Sequence, residues 1–178
     1  MKLFFDLEFT GLHKYAELIS IGIVSEDGKR TFYAENSLVD YLQCDEWIQD
    51  NVVKNLTLNC EPFNPVSISD NHVLRSRPDN IRDALEKWLA QFDTVEMWSD
   101  CYAYDWVVFC DLWGGAMNIP KSIYYIPFDL STAFRMKDVD ADISREQFAG
   151  TDSTAAKHNA LFDAQVIRSC YQKLMEDK

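Results

Sequence analysis

Positive charge is the scarcest commodity in this 178-residue chain: 17 lysines and arginines face 29 aspartates and glutamates, for a formal net charge of −12. That deficit argues against a protein that grips nucleic acid through a broad basic face. It leaves room for one that takes a strand end into a local site, where bound cations cancel part of the acid charge. Long apolar runs are also missing. The opening Met-Lys-Leu-Phe-Phe starts like a secretory leader, but Asp6 and Glu8 end it early. No stretch approaches the roughly 18 apolar residues of a membrane span. The five cysteines, at 44, 60, 101, 110 and 170, include no CxxC pair. An odd count without paired spacing supports neither a disulfide framework nor a zinc site, so buried small hydrophobes in a reducing cytoplasm are expected. There is no repeat, low-complexity tract or composition break, and residues 1–178 are expected to form a single domain.

What the chain has instead is a series of short apolar segments with clear punctuation. Leu3 onwards reads as a buried strand, Leu18 to Val24 as a second and Arg30 to Ala34 as a third, with Asp27-Gly28 as a hairpin turn. An antiparallel meander fits these lengths. Residues 45–55 look helical, and 59–71, with two prolines, look like a surface loop. A helix opened by residues 76–79 carries Ile81, Leu85, Trp88, Leu89 and Phe92 at helical spacing. Val95 to Ser99 is a short strand, followed by a helix from about Tyr104 to Trp113 that Gly114-Gly115 ends. Ile123 to Ile126 suggests one more strand, Lys137 to Ser153 is polar and expected to be mobile, and a last helix runs from Ala160 to Met175. The sum is an α/β domain with a mixed sheet flanked by helices.

Within that frame several carboxylates fall in odd places. Asp6 and Glu8 sit two apart on an apolar strand, so both leave the same face. On an edge strand they would simply face water. In a core they need protons or a cation, and an all-oxygen pair suits Mg²⁺ or Mn²⁺. On the last helix, Asp163 lies beside the apolar stripe Ala160, Ala164, Ile167, Tyr171 and Leu174, though a first-turn aspartate also suits the helix dipole. His158 precedes the expected N-cap, Asn159, and from that loop can swing towards the same site and take a proton. His13 and His72 have weaker claims. Asp105 opens a helix near strand ends, where α/β folds place ligands; Asp100 and Asp111 compete with it. Asp138, Asp140 and Asp142 imitate a calcium loop, but its glycine position is Ile143 and its last position is Ala149.

Taken together, Asp6-Leu7-Glu8, Asp105 opening a mid-chain helix, and His158-Asn-Ala-Leu-Phe-Asp163 resemble the three motifs of the DEDDh 3′-5′ exonucleases, which have an RNase H-like fold. Glu17-Leu-Ile-Ser-Ile-Gly, Leu74-Arg-Ser-Arg77 and Ala103-Tyr-Asp105 through Leu112-Trp113-Gly114 look closest to a bacterial branch, the adenylate-specific exoribonuclease RNase AS, with RNase T and oligoribonuclease more distant. The resemblance covers nearly the whole chain except residues 137–153. It implies a mixed sheet of five to six strands, a homodimer, and release of nucleoside 5′-monophosphates from the 3′ ends of single-stranded RNA. It further implies that Asp6, Glu8, Asp105 and Asp163 hold two Mg²⁺ or Mn²⁺ ions, that His158 is the general base, and that Glu17 reads the adenine edge. Phe9, Thr10, Gly11 and Leu12 are then placed to meet the terminal nucleotide. Phe9 or Tyr104 is a candidate base-stacking ring, and Arg75 and Arg77 are candidate phosphate contacts. Rival readings are a DNA exonuclease, since contact with a 2′-hydroxyl leaves no short motif, and a catalytically silent RNA-binding module on the same fold.

Overall fold

Leu3, Phe4, Phe5 and Leu7 are all buried, and the strand they form lies inside the sheet with partners on both edges. In the computed structural model, which describes residues 1–58, 66–68, 71–151 and 157–176, the chain runs through β1 (Lys2–Phe9), β2 (Leu18–Ser25), β3 (Thr31–Asn36), α1 (Glu46–Asn51), β4 (Val66–Ile68) and β5 (Asn71–Ser76). It continues through α2 (Pro78–Leu89), β6 (Glu96–Ser99), α3 (Ala103–Asp111), β7 (Phe128–Asp129), α4 (Leu130–Met136), α5 (Arg145–Ala149) and α6 (Ala160–Glu176). The strands form one sheet in the order β4-β5-β3-β2-β1-β6-β7. β1, β2 and β3 make the expected antiparallel meander. β6 and β7 extend it in parallel beyond β1, and β5 joins β3 in parallel with β4 antiparallel at the far edge. The α/β class and mixed sheet are as expected.

Alternation along β1 sorts the two faces. Leu3, Phe5 and Leu7 enter the cluster formed with Ile21 and Ile23 of β2, Ile81 and Leu85 of α2, and Phe109 of α3. Phe4 points the other way, into a cluster with Ala164, Ile167 and Cys170 of α6 and Phe134 of α4. Asp6 and Glu8 share Phe4's parity, so the carboxylates lie on the face that α6 covers. Pro at the first position of α2 and the Asn159 side chain, whose Oδ1 accepts from Phe162 N at 3.2 Å, start the two long helices.

Four expectations need correction. Among the described residues the sheet has seven strands, beyond the five to six expected: β4 lies within the expected surface loop, and β5 covers the stretch between that loop and the next helix, for which no element is expected. Of β5 only Leu74 is fully buried, so its apolar signal is weak. The helix over 45–55 breaks at Val52 into α1 and a separate 3-10 turn, Val53–Asn55. No strand forms over 123–126: Ile123 makes only an isolated bridge to Val95, and the strand is β7. The polar stretch from 137 contains α5, capped by Ser144 and stopped by Gly150 at φ +75°, with residues 152–156 outside the described set. Cys44, Cys110 and Cys170 are buried as expected, whereas Cys101 is exposed and Cys60 lies outside the described residues. Among the described residues no helix is long and apolar enough to cross a membrane.

Candidate active site

The β1–β6 ladder stops at the Phe4–Trp98 pair. Beyond it the edge of β1 is open, and the Leu7 N–H, midway between Asp6 and Glu8, donates to Asp105 Oδ1 at 2.9 Å. That bond docks the first turn of α3 against the two strand carboxylates, and Asp105 is only 7% exposed. On the other side, register builds two rows across the face that α6 covers. Asp6 pairs with Gly22 and Gly22 with Tyr33; Glu8 pairs with Ser20 and Ser20 with Glu35. Gly22 is the gap in the first row. A Cβ there would lie 2.2 Å from Leu161 N and 2.3 Å from the Ala160 carbonyl. Bare backbone at Gly22 thus lets the start of α6 settle on the sheet, between Asp6 and Tyr33.

That seating brings Asp163 and His158 to β1. One donor atom each from Glu8, His158 and Asp163 lie within 4.8 Å of one another. The His158 N–H donates to Asp163 Oδ2 at 2.9 Å, in a left-handed backbone conformation with φ +63°. The His158 ring meets Trp47 of α1 edge to face, centroids 4.9 Å apart.

Crowding of acids shows in their titration. Asp6 is raised well above the carboxylate range by burial and then by Asp105, Glu8, Asp163 and Asp100. Burial, with Asp163 and Asp105, pushes Glu8 to about 8. Burial lifts Asp105 to about 7 against the Leu7 N–H bond, and Asp163 to about 6 against the His158 N–H bond. His158 is lowered, by burial first and Lys157 second, with Glu146 opposing.

Asp6, His158 and Asp163 line a cleft of about 330 Å³ whose far wall comes from Asp142 to Glu146. Sequence reasoning assigned that segment no role. Arg145 anchors it: its Nε lies 2.7 Å from Asp100 Oδ2 and its Nη2 2.9 Å from Asp100 Oδ1, and it also reaches Ser131 Oγ and the Ala141 carbonyl. Lys157 and Glu146 form a second pair at 3.1 Å on the same wall. A lone arginine in an acid-rich stretch was the available signal, but its partner is 45 positions away.

A second, larger cavity of about 1,130 Å³ is lined by Glu17, Tyr15, Arg82, Tyr104 and Asp111 among others. Thr10, 2% exposed, frames its rim by exchanging bonds with Glu17: Thr10 N–H donates to the Glu17 carbonyl and Glu17 N–H to Thr10 Oγ1, both at 3.0 Å. Glu17 is exposed, Gly11 lies under the His13 ring, and Leu12 is 72% exposed. Phe9 and Tyr104 touch each other, centroids 6.2 Å apart. The arginines lie elsewhere. Arg75 sits beside Glu35 in the row that ends at Glu8, two strands further on, and Arg77 precedes α2 with its Nε 3.4 Å from Asp79. Neither lines the acidic cleft.

Residues 1–175 match the family described as the 3′-5′ exoribonuclease Rv2179c-like domain. The chain belongs to the Rv2179c-like 3′-5′ exoribonuclease family. Two curated relatives, 3′-5′ exoribonuclease Rv2179c from Mycobacterium tuberculosis strain ATCC 25618 / H37Rv and 3′-5′ exoribonuclease MT2234.1 from strain CDC 1551 / Oshkosh, are each 35% identical over 125 residues, covering 69% of this chain and 67% of theirs. A solved structure, the Neurospora crassa Pan2 catalytic unit, aligns with 98% of this chain and 27% of its own at 16% identity and a TM-score of 0.49.

For this family member, the cluster fits divalent cations on its own chemistry. Among the described residues no lysine or arginine pairs with Asp6, Glu8, Asp105 or Asp163. Four crowded carboxylates, with Lys157 of the same cleft already paired to Glu146, are costly as anions, and oxygen donors suit Mg²⁺ or Mn²⁺.

Proposed function

We propose that this member of the exoribonuclease family removes nucleotides singly from the 3′ end of single-stranded RNA, releasing 5′-monophosphates with a preference for adenylate. The observation that carries the reading is the gathering of Asp6 and Glu8 of β1, Asp105 of α3, Asp163 of α6 and His158 just before it around the open end of β1, where Asp6, His158 and Asp163 line the cleft. Asp6, Glu8, Asp105 and Asp163 would hold two Mg²⁺ or Mn²⁺ ions, which when bound supply positive charge to the scissile phosphate and acidify water beside it. His158, beside Asp163, accepts the proton of the attacking water. The Thr10–Glu17 bonds hold the backbone of Glu17 beside the larger cavity, and its carboxylate, whose Oε1 lies 3.4 Å from Gln43 Nε2, can accept from adenine's exocyclic amine. Phe9 and Tyr104 would offer a ring surface to the base, and Gly11 and Leu12, next along the chain, would meet the terminal nucleotide as the resemblance implies. Arg75 and Arg77, which do not line the cleft, would meet phosphates upstream of the terminal nucleotide. We place the enzyme in a reducing cytoplasm, on its odd cysteine count without paired spacing, and as a homodimer, following the DEDDh and RNase AS resemblance.

The test is product release from oligoadenylate, oligouridylate and oligodeoxyadenylate with Mg²⁺, Mn²⁺ or chelator. AMP released progressively from oligoadenylate, fastest of the three and only with metal, is the expected result. Equal rates on all three would remove the adenine and ribose preferences, and release in chelator would remove the metal requirement.

A further inference from the structure

His158 has a left-handed backbone conformation, φ +63°, one that residues other than glycine adopt infrequently and histidine more readily than most. Its chain neighbours are tied down on both sides. The Lys157 carbonyl accepts from Asn55 Nδ2 at 2.9 Å. On the other side Asn159 Nδ2 donates to Tyr33 Oη at 3.3 Å, and the Tyr33 hydroxyl donates to Glu35 Oε1 at 2.8 Å. Tyr33 and Glu35 are 3% and 1% exposed, on the same face of β3. Glu35 Oε1 also accepts from Thr57 N at 2.8 Å and Leu58 N at 3.0 Å, so it fixes the segment that follows Asn55 as well. Both tethers of the His158 loop therefore converge on one buried carboxylate. Tyr33 itself pairs with Gly22, the glycine under the first residues of α6, and Gly22 with Asp6.

We infer that Tyr33 and Glu35 are positioning residues for His158: a buried hydroxyl–carboxylate pair that sets where the imidazole stands relative to Asp6, Glu8 and Asp163. The inference rests on the reading of His158 as the general base. A carboxylate alone could not do this from β3, because the hydroxyl of Tyr33 bridges it to the Asn159 amide. Burial holds the Tyr33 hydroxyl far above its ordinary range, so it remains a donor to Glu35 at every working pH. Asn159 is shared between two tasks, its Oδ1 capping α6 and its Nδ2 holding Tyr33.

The experiment is steady-state AMP release from oligoadenylate by Tyr33→Phe, Asn159→Ser, His158→Ala and the double variant Tyr33→Phe/His158→Ala, with thermal melting of each. Serine retains the cap but cannot reach Tyr33, so Asn159→Ser breaks the same link from the other end. In the presence of His158, Tyr33→Phe and Asn159→Ser are expected to lower kcat by about tenfold with KM within about twofold, as small misplacements of a catalytic group do. In the His158→Ala background Tyr33→Phe should cost nothing further. An unchanged kcat in Tyr33→Phe, or the same proportional loss with and without His158, overturns the inference. Full activity in His158→Ala alone would instead overturn the general-base reading, and the positioning role with it.

Discussion

Gly22→Ala should separate activity from folding. The added methyl would lie 2.2 Å from Leu161 N and 2.3 Å from the Ala160 carbonyl, against 3.4 Å for ordinary contact. Both are backbone atoms, so no side chain can rotate away, and the first turn of α6 must withdraw from β2 by about 1 Å. Asp163 and His158 ride on that turn and its approach, while Asp6, Glu8 and Asp105 stay with β1 and α3. A displacement of about 1 Å at a reacting centre costs on the order of 100-fold in rate. Overpacking costs about 1–3 kcal/mol, a melting point lower by about 3–9 °C for a domain of this size. The assay is kcat/KM for AMP release beside a calorimetric melt, with Gly28→Ala as control. Gly28 has φ +73° in the β2–β3 turn, against the flexible end of Arg168, so alanine there strains the fold without touching the cleft. The control should melt lower with its rate retained. If Gly22→Ala keeps its rate within twofold, or loses no more than Gly28→Ala at equal stability, seating of α6 on bare backbone does not organise the site.

Asp6→Asn should raise the melting temperature in chelator by a few degrees, since it removes the cost of burying a carboxyl that would ionise in the unfolded chain and breaks no described hydrogen bond, while activity falls at least about 100-fold; a lower melting point would refute that cost. Glu8, Asp105 and Asp163 titrate near 8, 7 and 6, above their ordinary values, so the folded state holds more protons than the unfolded. Their contribution is full below the ordinary carboxylate range and is lost as pH rises through those values, so chelated protein should melt lower at pH 8 than at pH 5, with Mg²⁺ closing the gap; a melting point independent of pH would contradict this. Arg145→Met should cost about 2–4 kcal/mol by stranding Asp100, whose pair is 15% and 22% exposed, and Asp100→Asn in the same chain should recover part of the loss in a urea titration.

Sequence alone determined the features that repeat at fixed local intervals. Strand parity put Asp6 and Glu8 on one face, and helix periodicity put Asp163 beside the buried stripe of α6 with Asn159 at its start. The meander, α2, α3 and α6 were legible for the same reason, since each buries enough apolar surface to write its period into the residues. β5 did not, with one fully buried residue, and β4 is only three residues long. Tertiary structure decided everything that depends on register between strands distant in sequence. Gly22 opposite Asp6, Tyr33 opposite Gly22, Arg145 on Asp100 and Asp105 on the Leu7 N–H are pairings between positions 11 to 98 residues apart. No local pattern encodes such a pairing, because it is fixed only when the sheet has chosen its order and α6 has found the one gap in the row that lets it settle.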